Sequence, residues 1–192
     1  MAADGTLLRR LVPVAEEHGG LISVQEAERA GVSNRMLLHY ATVGDLERVQ
    51  RGIYRLVWLP HHRFADVIAA CMRVGGDAVA TGETAAAVWG LAEAMPTRIS
   101  ICTSRPWRGT LAGGRVVVCS LADDERTVRD AVPVTSLGRT LADLAVGDPD
   151  RAVDAVEDAQ RVGVLARREW PRPSERYPSL AALDVPGVTD HD

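Results

Sequence analysis

Lysine is missing from this chain: all 22 of its Lys-or-Arg positions are arginine. That excludes a P-loop lysine, a Schiff-base lysine and the lysine of common nuclease signatures. Every phosphate contact from a permanently charged side chain must then come from arginine, with its planar fork of donors. A genomic bias toward arginine codons explains the absence equally well. Cysteine is also scarce. The three residues Cys71, Cys102 and Cys119 are far apart and form no CxxC pair. Neither a zinc site nor a disulfide framework is suggested, and buried free thiols in a reducing cytosol are expected. Aromatics make up 4% of the chain, so the 46% apolar content is mostly Ala, Val and Leu, enough for a packed core. No apolar run reaches membrane-spanning length, and MAADGTLLRR places polar groups on both sides of a very short apolar pair. No membrane segment and no signal peptide are expected, which points to the cytoplasm.

What is present organises around Ile22 to Val57, ISVQEAERAGVSNRMLLHYATVGDLERVQRGIYRLV. Ser23 followed by Glu26 is a capping box, in which hydroxyl and carboxylate each satisfy an amide at the helix start. Gln25 to Ala30 are good helix formers, and Gly31 can take the left-handed conformation that stops a helix. Ser33 caps a second helix, Asn34 to about Val43, which Gly44 ends. Leu37, Tyr40 and Ala41 share one buried face, leaving Asn34, Arg35, Leu38, His39 and Thr42 on the other. Leu46 to Gln50, a turn at Arg51-Gly52 and Ile53 to Val57 then make a hairpin. Helix, tight turn, helix and hairpin in this order form a winged helix-turn-helix. From Arg29 to Arg55 five arginines face Asp45 and Glu47, a net of +3 on a chain whose total is −4. A basic segment on an acidic protein is the footprint of a phosphate-binding surface.

The flanking sequence is less specific. Thr6 to about His18 reads as a first helix with Leu7, Leu8, Leu11, Val14 and Ala15 inward, and Pro13 is expected to kink or interrupt it. Pro60 ends the wing, and His61-His62 reads as a polar helix start. Phe64 to Val74 is a helix. Ala78 to Ala80 is extended, and GETAAAVWGL is a helix. Arg98 to Thr103 and Arg115 to Leu121 read as strands, with a loop between them. Asp123 to Asp130 is a charged connector, and Val132 to Val134 a short extended piece. Ser136 caps a helix from Leu137 to Val146. Asp148, followed by Pro149, caps another running to about Gln160. From Trp170 the prolines multiply, and an extended or partly disordered tail is expected, pinned by Trp170, Tyr177 or Leu183. Asp143, Asp148, Glu157 and Asp158 match no metal-ligand spacing and read as solvated helix-face carboxylates.

The run GGLISVQEAERAGVSNRMLLHYATVGDLERVQRGIYRL resembles the N-terminal domain of AbiEi-type antitoxins. ATGETAAAVWGL, RISICTSR and VPVTSLGRTLADLA resemble later segments of that family in the same order, so the likeness spans about Leu7 to Leu165. It implies a cytoplasmic repressor, typically encoded beside a nucleotidyltransferase-like toxin, that binds inverted repeats in its own promoter. The second domain of such proteins is associated with toxin neutralisation and cooperative DNA binding.

The resulting expectation is an α+β protein of three parts: a winged helix-turn-helix domain over 1–59, a mixed α/β domain with a small sheet over 60–169, and a Pro-rich tail over 170–192. DNA-contacting positions are Ser33, Asn34, Arg35, Leu38, His39, Arg48, Arg51 and Arg55. The expected partners are double-stranded promoter DNA and a nucleotidyltransferase-like toxin, with pairing of the protein on DNA. No catalysis, cofactor, metal or membrane contact is expected. The alternative is a stand-alone winged-helix regulator whose C-terminal domain dimerises or senses a ligand.

Overall fold

The computed structural model describes residues 4–166 and 169–185. It divides into two compact units: residues up to Ala78 together with Asp130–Val132, and the remainder. The first unit therefore continues past residue 59, where the sequence suggests the winged-helix domain ends.

The first unit opens with α1 (Asp4–Glu17), which contains Pro13 and is not interrupted by it. Pro13 is exposed, while Leu8, Leu11 and Ala15 are buried. Strand β1 (Leu21–Ser23) follows, then α2 (Val24–Arg29) and α3 (Asn34–Val43). The wing is β2 (Leu46–Gln50) and β3 (Ile53–Leu56). These strands make a three-stranded sheet of order β1-β3-β2, both pairings antiparallel. Helix α4 (Ala65–Val74) completes the unit. Its winged-helix core joins Leu8, Leu11 and Ala15 of α1 to Ala27, Leu37, Tyr40, Leu46, Tyr54 and Leu56.

In the second unit a five-stranded sheet has the order β6-β5-β4-β8-β7. Its strands are β4 (Val79–Ala80), β5 (Ile99–Thr103), β6 (Gly114–Val118), β7 (Arg126–Arg129) and β8 (Val132–Thr135). Helices α5 (Gly82–Trp89), α6 (Leu137–Gly147) and α7 (Pro149–Arg161) pack into one apolar cluster with Leu91, Leu165 and Trp170. Where a charged connector was expected, β7 is a strand, joined to β8 by a turn at Asp130 and Ala131, both at positive φ. Cys102 and Cys119 form a disulfide, which corrects the expectation of three free thiols; buried Cys71 takes no part in it.

The tail is not extended as expected, although the expected anchors Trp170, Tyr177 and Leu183 do pack on the core. Its described part carries two short helices, α8 (Pro171–Arg176) and α9 (Pro178–Ala181). Trp170, Leu180, Leu183 and Val185 are buried in the unit's core. Residues 186–192 lie outside the described residues.

Candidate nucleic-acid interface

Local chemistry sets the first helix of the motif. Ser23 caps α2 in a full capping box with Glu26. Both the Ser23 amide and its hydroxyl donate to Glu26 Oε2, at 2.9 and 2.7 Å. The other oxygen, Oε1, faces His18 Nε2 at 2.9 Å, so Glu26 ties the end of α1 to the start of α2. The hydrogen bond to Glu26 raises the His18 pKa, against the opposing effect of burial. Burial opposes ionisation of Glu26, yet the hydrogen bonds from His18 and Ser23 together hold its carboxyl at about 2.

The turn into α3 passes Gly31 at φ +82°, where an added Cβ would lie 3.2 Å from Arg10 Nη1. The exposed Arg10 side chain thus lies beside this turn. Ser33 Oγ accepts from the Met36 amide at 3.4 Å, and left-handed Gly44 terminates α3. Leu37 and Tyr40 point into the core. The outward face is the one expected: Ser33, Asn34, Arg35, Leu38, His39 and Thr42 are all exposed. Thr42 Oγ1 is occupied by its own helix, donating to the Leu38 carbonyl at 2.9 Å.

The wing turns at Arg51-Gly52, with Gly52 at φ +79°. A register shift between Arg48 and Gln50 leaves Val49 unpaired, a bulge that increases local twist. Gln50 Nε2 donates to the Ala69 carbonyl of α4 at 2.6 Å and anchors the hairpin. Arg48 and Arg51 are exposed; Arg55 is only partly so. Among the described residues Arg35, Arg48 and Arg51 form no ion pair, whereas Arg55 places Nε and Nη2 on Glu47 Oε2, at 2.9 and 2.7 Å. Glu47 and Arg55 are direct cross-strand partners. The sequence placed all eight candidate residues on one motif, but the cross-strand ion pair of Arg55 was not visible in it.

Several of the other residues singled out in the sequence have local partners. His62 Nδ1 accepts from the Phe64 amide at 3.1 Å and its Nε2 lies 3.2 Å from Asp130 of the same unit. Asp143 accepts from Thr81 and Arg139. Asp148 caps α7, and Asp158 accepts from the Ala92 amide. Among the described residues no helix is long and apolar enough to cross a membrane, and no cluster of His, Cys, Asp and Glu has metal-binding geometry.

Residues 9–57 match the sequence model of the family AbiEi_4, described as transcriptional regulator, AbiEi antitoxin. The match covers the winged-helix segment alone, and the later motifs that resemble the family lie outside the matched residues. Nothing among curated proteins matches the chain. Among solved structures, the crystal structure of RV2827C protein from Mycobacterium tuberculosis is similar with a TM-score of 0.41 and 18% identity. That likeness covers 91% of this chain and 77% of that one.

Proposed function

We propose that this regulator binds duplex DNA sequence-specifically through the winged helix within residues 1–59, represses its own operon, and counteracts a nucleotidyltransferase-like toxin from the cytoplasm. The carrying observation is an outward α3 face with Arg35 and a wing with Arg48 and Arg51, none of them ion-paired among the described residues, on a segment that matches the AbiEi antitoxin family. A B-form major groove about 12 Å wide admits one helix. Arg35, the second residue of α3, is then in reach of a guanine edge, where its fork matches O6 and N7. Asn34 and His39 reach base edges or phosphates, Leu38 meets a thymine methyl, and Ser33 contacts backbone at the helix start. Arg48 and Arg51 bind phosphates that fix register, as does Arg55 to the extent that Glu47 shares it. Inverted repeats would be bound by two copies, matching the two-fold symmetry of the site. The antitoxin role draws its support from the family description.

The DNA reading is tested by titrating promoter and scrambled duplexes. Arg35→Ala is expected to cost about 1–3 kcal/mol on the promoter and to relax specificity at one base pair. Arg51→Ala is expected to weaken both duplexes alike and reduce the salt slope by about 0.9. Equal losses for both variants on both duplexes would refute this division. Co-expression with the product of a neighbouring nucleotidyltransferase gene tests the antitoxin role. Unrelieved toxicity with intact promoter binding would favour the stand-alone regulator.

A further inference from the structure

Disulfides are uncommon in a reducing cytosol, so the bond between Cys102 and Cys119 sits oddly with the site of action proposed above. The fold brings the two residues together without it. Ile99 to Thr103 of β5 face Gly114 to Val118 of β6 in unbroken parallel register. Beyond the last pair, the Cys119 amide donates to the Thr103 carbonyl at 3.0 Å. Cys102 is the fourth residue of β5 and Cys119 the first after β6. Their Cα atoms are 6.0 Å apart, a span that suits a disulfide. Strand pairing alone thus keeps each sulfur in reach of the other, and the bond can open and close in the folded chain.

The two sulfurs differ in access. Cys102 is 1% exposed and packs with Val79 and Leu121. Cys119 is only half-buried, at the margin of the same apolar cluster. Thiol–disulfide exchange needs an approach to one sulfur, and Cys119 offers it where Cys102 does not. Cys71 is buried on α4 and presents no competing accessible thiol. A structural staple would hide both sulfurs; this bond leaves one of them open to solvent.

We propose that Cys119 is a thiol-modification site, at which a low-molecular-weight thiol opens the bond to Cys102 and the matching small disulfide closes it again. The inference rests on the cytoplasmic reading above. In opening, the incoming thiolate sulfur bonds to Cys119 Sγ and the bond between the two protein sulfurs breaks. The electron pair leaves with Cys102 Sγ, which takes a proton from the medium. Its apolar surroundings favour the neutral thiol and keep further reagent away. A second thiolate then attacks the small molecule's sulfur in the mixed disulfide, and Cys119 departs as a thiolate that is protonated in turn. Two small thiols are oxidised to their disulfide, and one protein disulfide is reduced to two thiols. Closing is the reverse. Residues 104–113 lie inside the loop that the bond closes, so opening removes a covalent tie across this crossover.

The test uses the full chain in defined ratios of reduced to oxidised glutathione, quenched with acid, alkylated and read by mass spectrometry. Without denaturant, the wild-type bond is expected to open fully in excess reduced glutathione and to re-form in excess oxidised glutathione. Cys102→Ala should collect one glutathione on Cys119, while Cys119→Ala should stay unmodified at Cys102 over the same time. Amide exchange across β6 should be about tenfold faster or more in the reduced chain. If either variant melts early, the wild-type titration still decides, since it needs no substitution. A bond that resists excess reduced glutathione in the folded chain overturns the inference and makes the pair a fixed staple. So does modification of Cys102 in preference to Cys119, or equal amide exchange in the two forms. Cells quenched with acid separate this inference from its premise. Exchange in vitro with a bond closed in cells under every growth condition upholds the site and overturns the cytoplasmic reading instead.

Discussion

Arginine plays two different parts in the two units. On the winged helix Arg35, Arg48 and Arg51 are exposed and, among the described residues, hold no acid. In the second unit Arg139 sits between Asp143 and Glu125, at 2.7 and 3.4 Å. Arg176 reaches both Asp124 and Glu125. Glu125 is nearly buried and also accepts from the Ala122 amide and the Tyr177 hydroxyl. Burial opposes its ionisation, but these donors and the nearby arginines keep its pKa below the ordinary carboxylate range. Burial and the bond to Glu125 push the Tyr177 hydroxyl up to about 12. One residue type therefore serves as cement where carboxylates surround it and as a candidate contact where they are missing. In a chain without lysine the neighbours, not the residue, separate these roles.

The largest effect should come from the cemented side. Trp170 is 5% exposed within the core of the second unit. Trp170→Ala is expected to cost about 3–5 kcal/mol in denaturant unfolding. Duplex affinity should persist under conditions where the variant remains folded. A cost below about 1 kcal/mol would mean that the segment from Trp170 onward is not part of the core. Next comes Arg139→Ala, which leaves Glu125 and Asp143 each short of a charged donor and should cost about 2 kcal/mol. Arg48→Ala should stay within about 0.5 kcal/mol in the same measurement while lowering duplex affinity. Equal destabilisation by the two would break the contrast.

The His18–Glu26 tie gives the first unit a pH signature. His18 has a raised pKa when folded, so its contribution is complete below its ordinary 6.5 and is lost as pH rises through the folded value. Glu26 is lowered to about 2, so its contribution is complete above its ordinary 4.5 and is lost as pH falls toward 2. This pair therefore stabilises most between about 4.5 and 6.5. Thermal melts of wild type and His18→Gln should differ most in that window and converge above it. A difference that grows toward alkaline pH would contradict the pairing.

Much of the winged helix was legible because its signals are local. The Ser23–Glu26 box, the Ser33 cap and the glycines at 44 and 52 each act within a turn or two of chain. The three-residue strand β1 was not visible, because it exists only where Leu21 to Ser23 meet Arg55 to Ile53 across the sheet. The same holds for Cys102 and Cys119, which meet only because β5 and β6 are neighbours. Strand β7 was hidden by its charges and by a turn whose positive-φ residues, Asp130 and Ala131, are not glycine. The prolines after Trp170 misled in a different way. Pro171 and Pro178 open helices, where a missing amide hydrogen costs nothing. At the candidate site helical periodicity exposed the α3 face correctly. The fate of Arg55 depended on strand register, which no periodicity supplies.

Arg55 is where the two arginine roles meet, and it gives the smallest and sharpest test. Its guanidinium lies on Glu47, whose side chain is 55% exposed, so the pair is a surface contact worth at most about 1 kcal/mol. Glu47→Gln should change stability by less than that. It also removes a negative charge from the wing and releases Arg55 toward phosphate. Duplex affinity should rise for promoter and scrambled DNA alike, with the salt slope steeper by about 0.9. If affinity falls instead, Glu47 is holding Arg55 in the orientation that contacts DNA, and the ion pair belongs to the interface rather than competing with it.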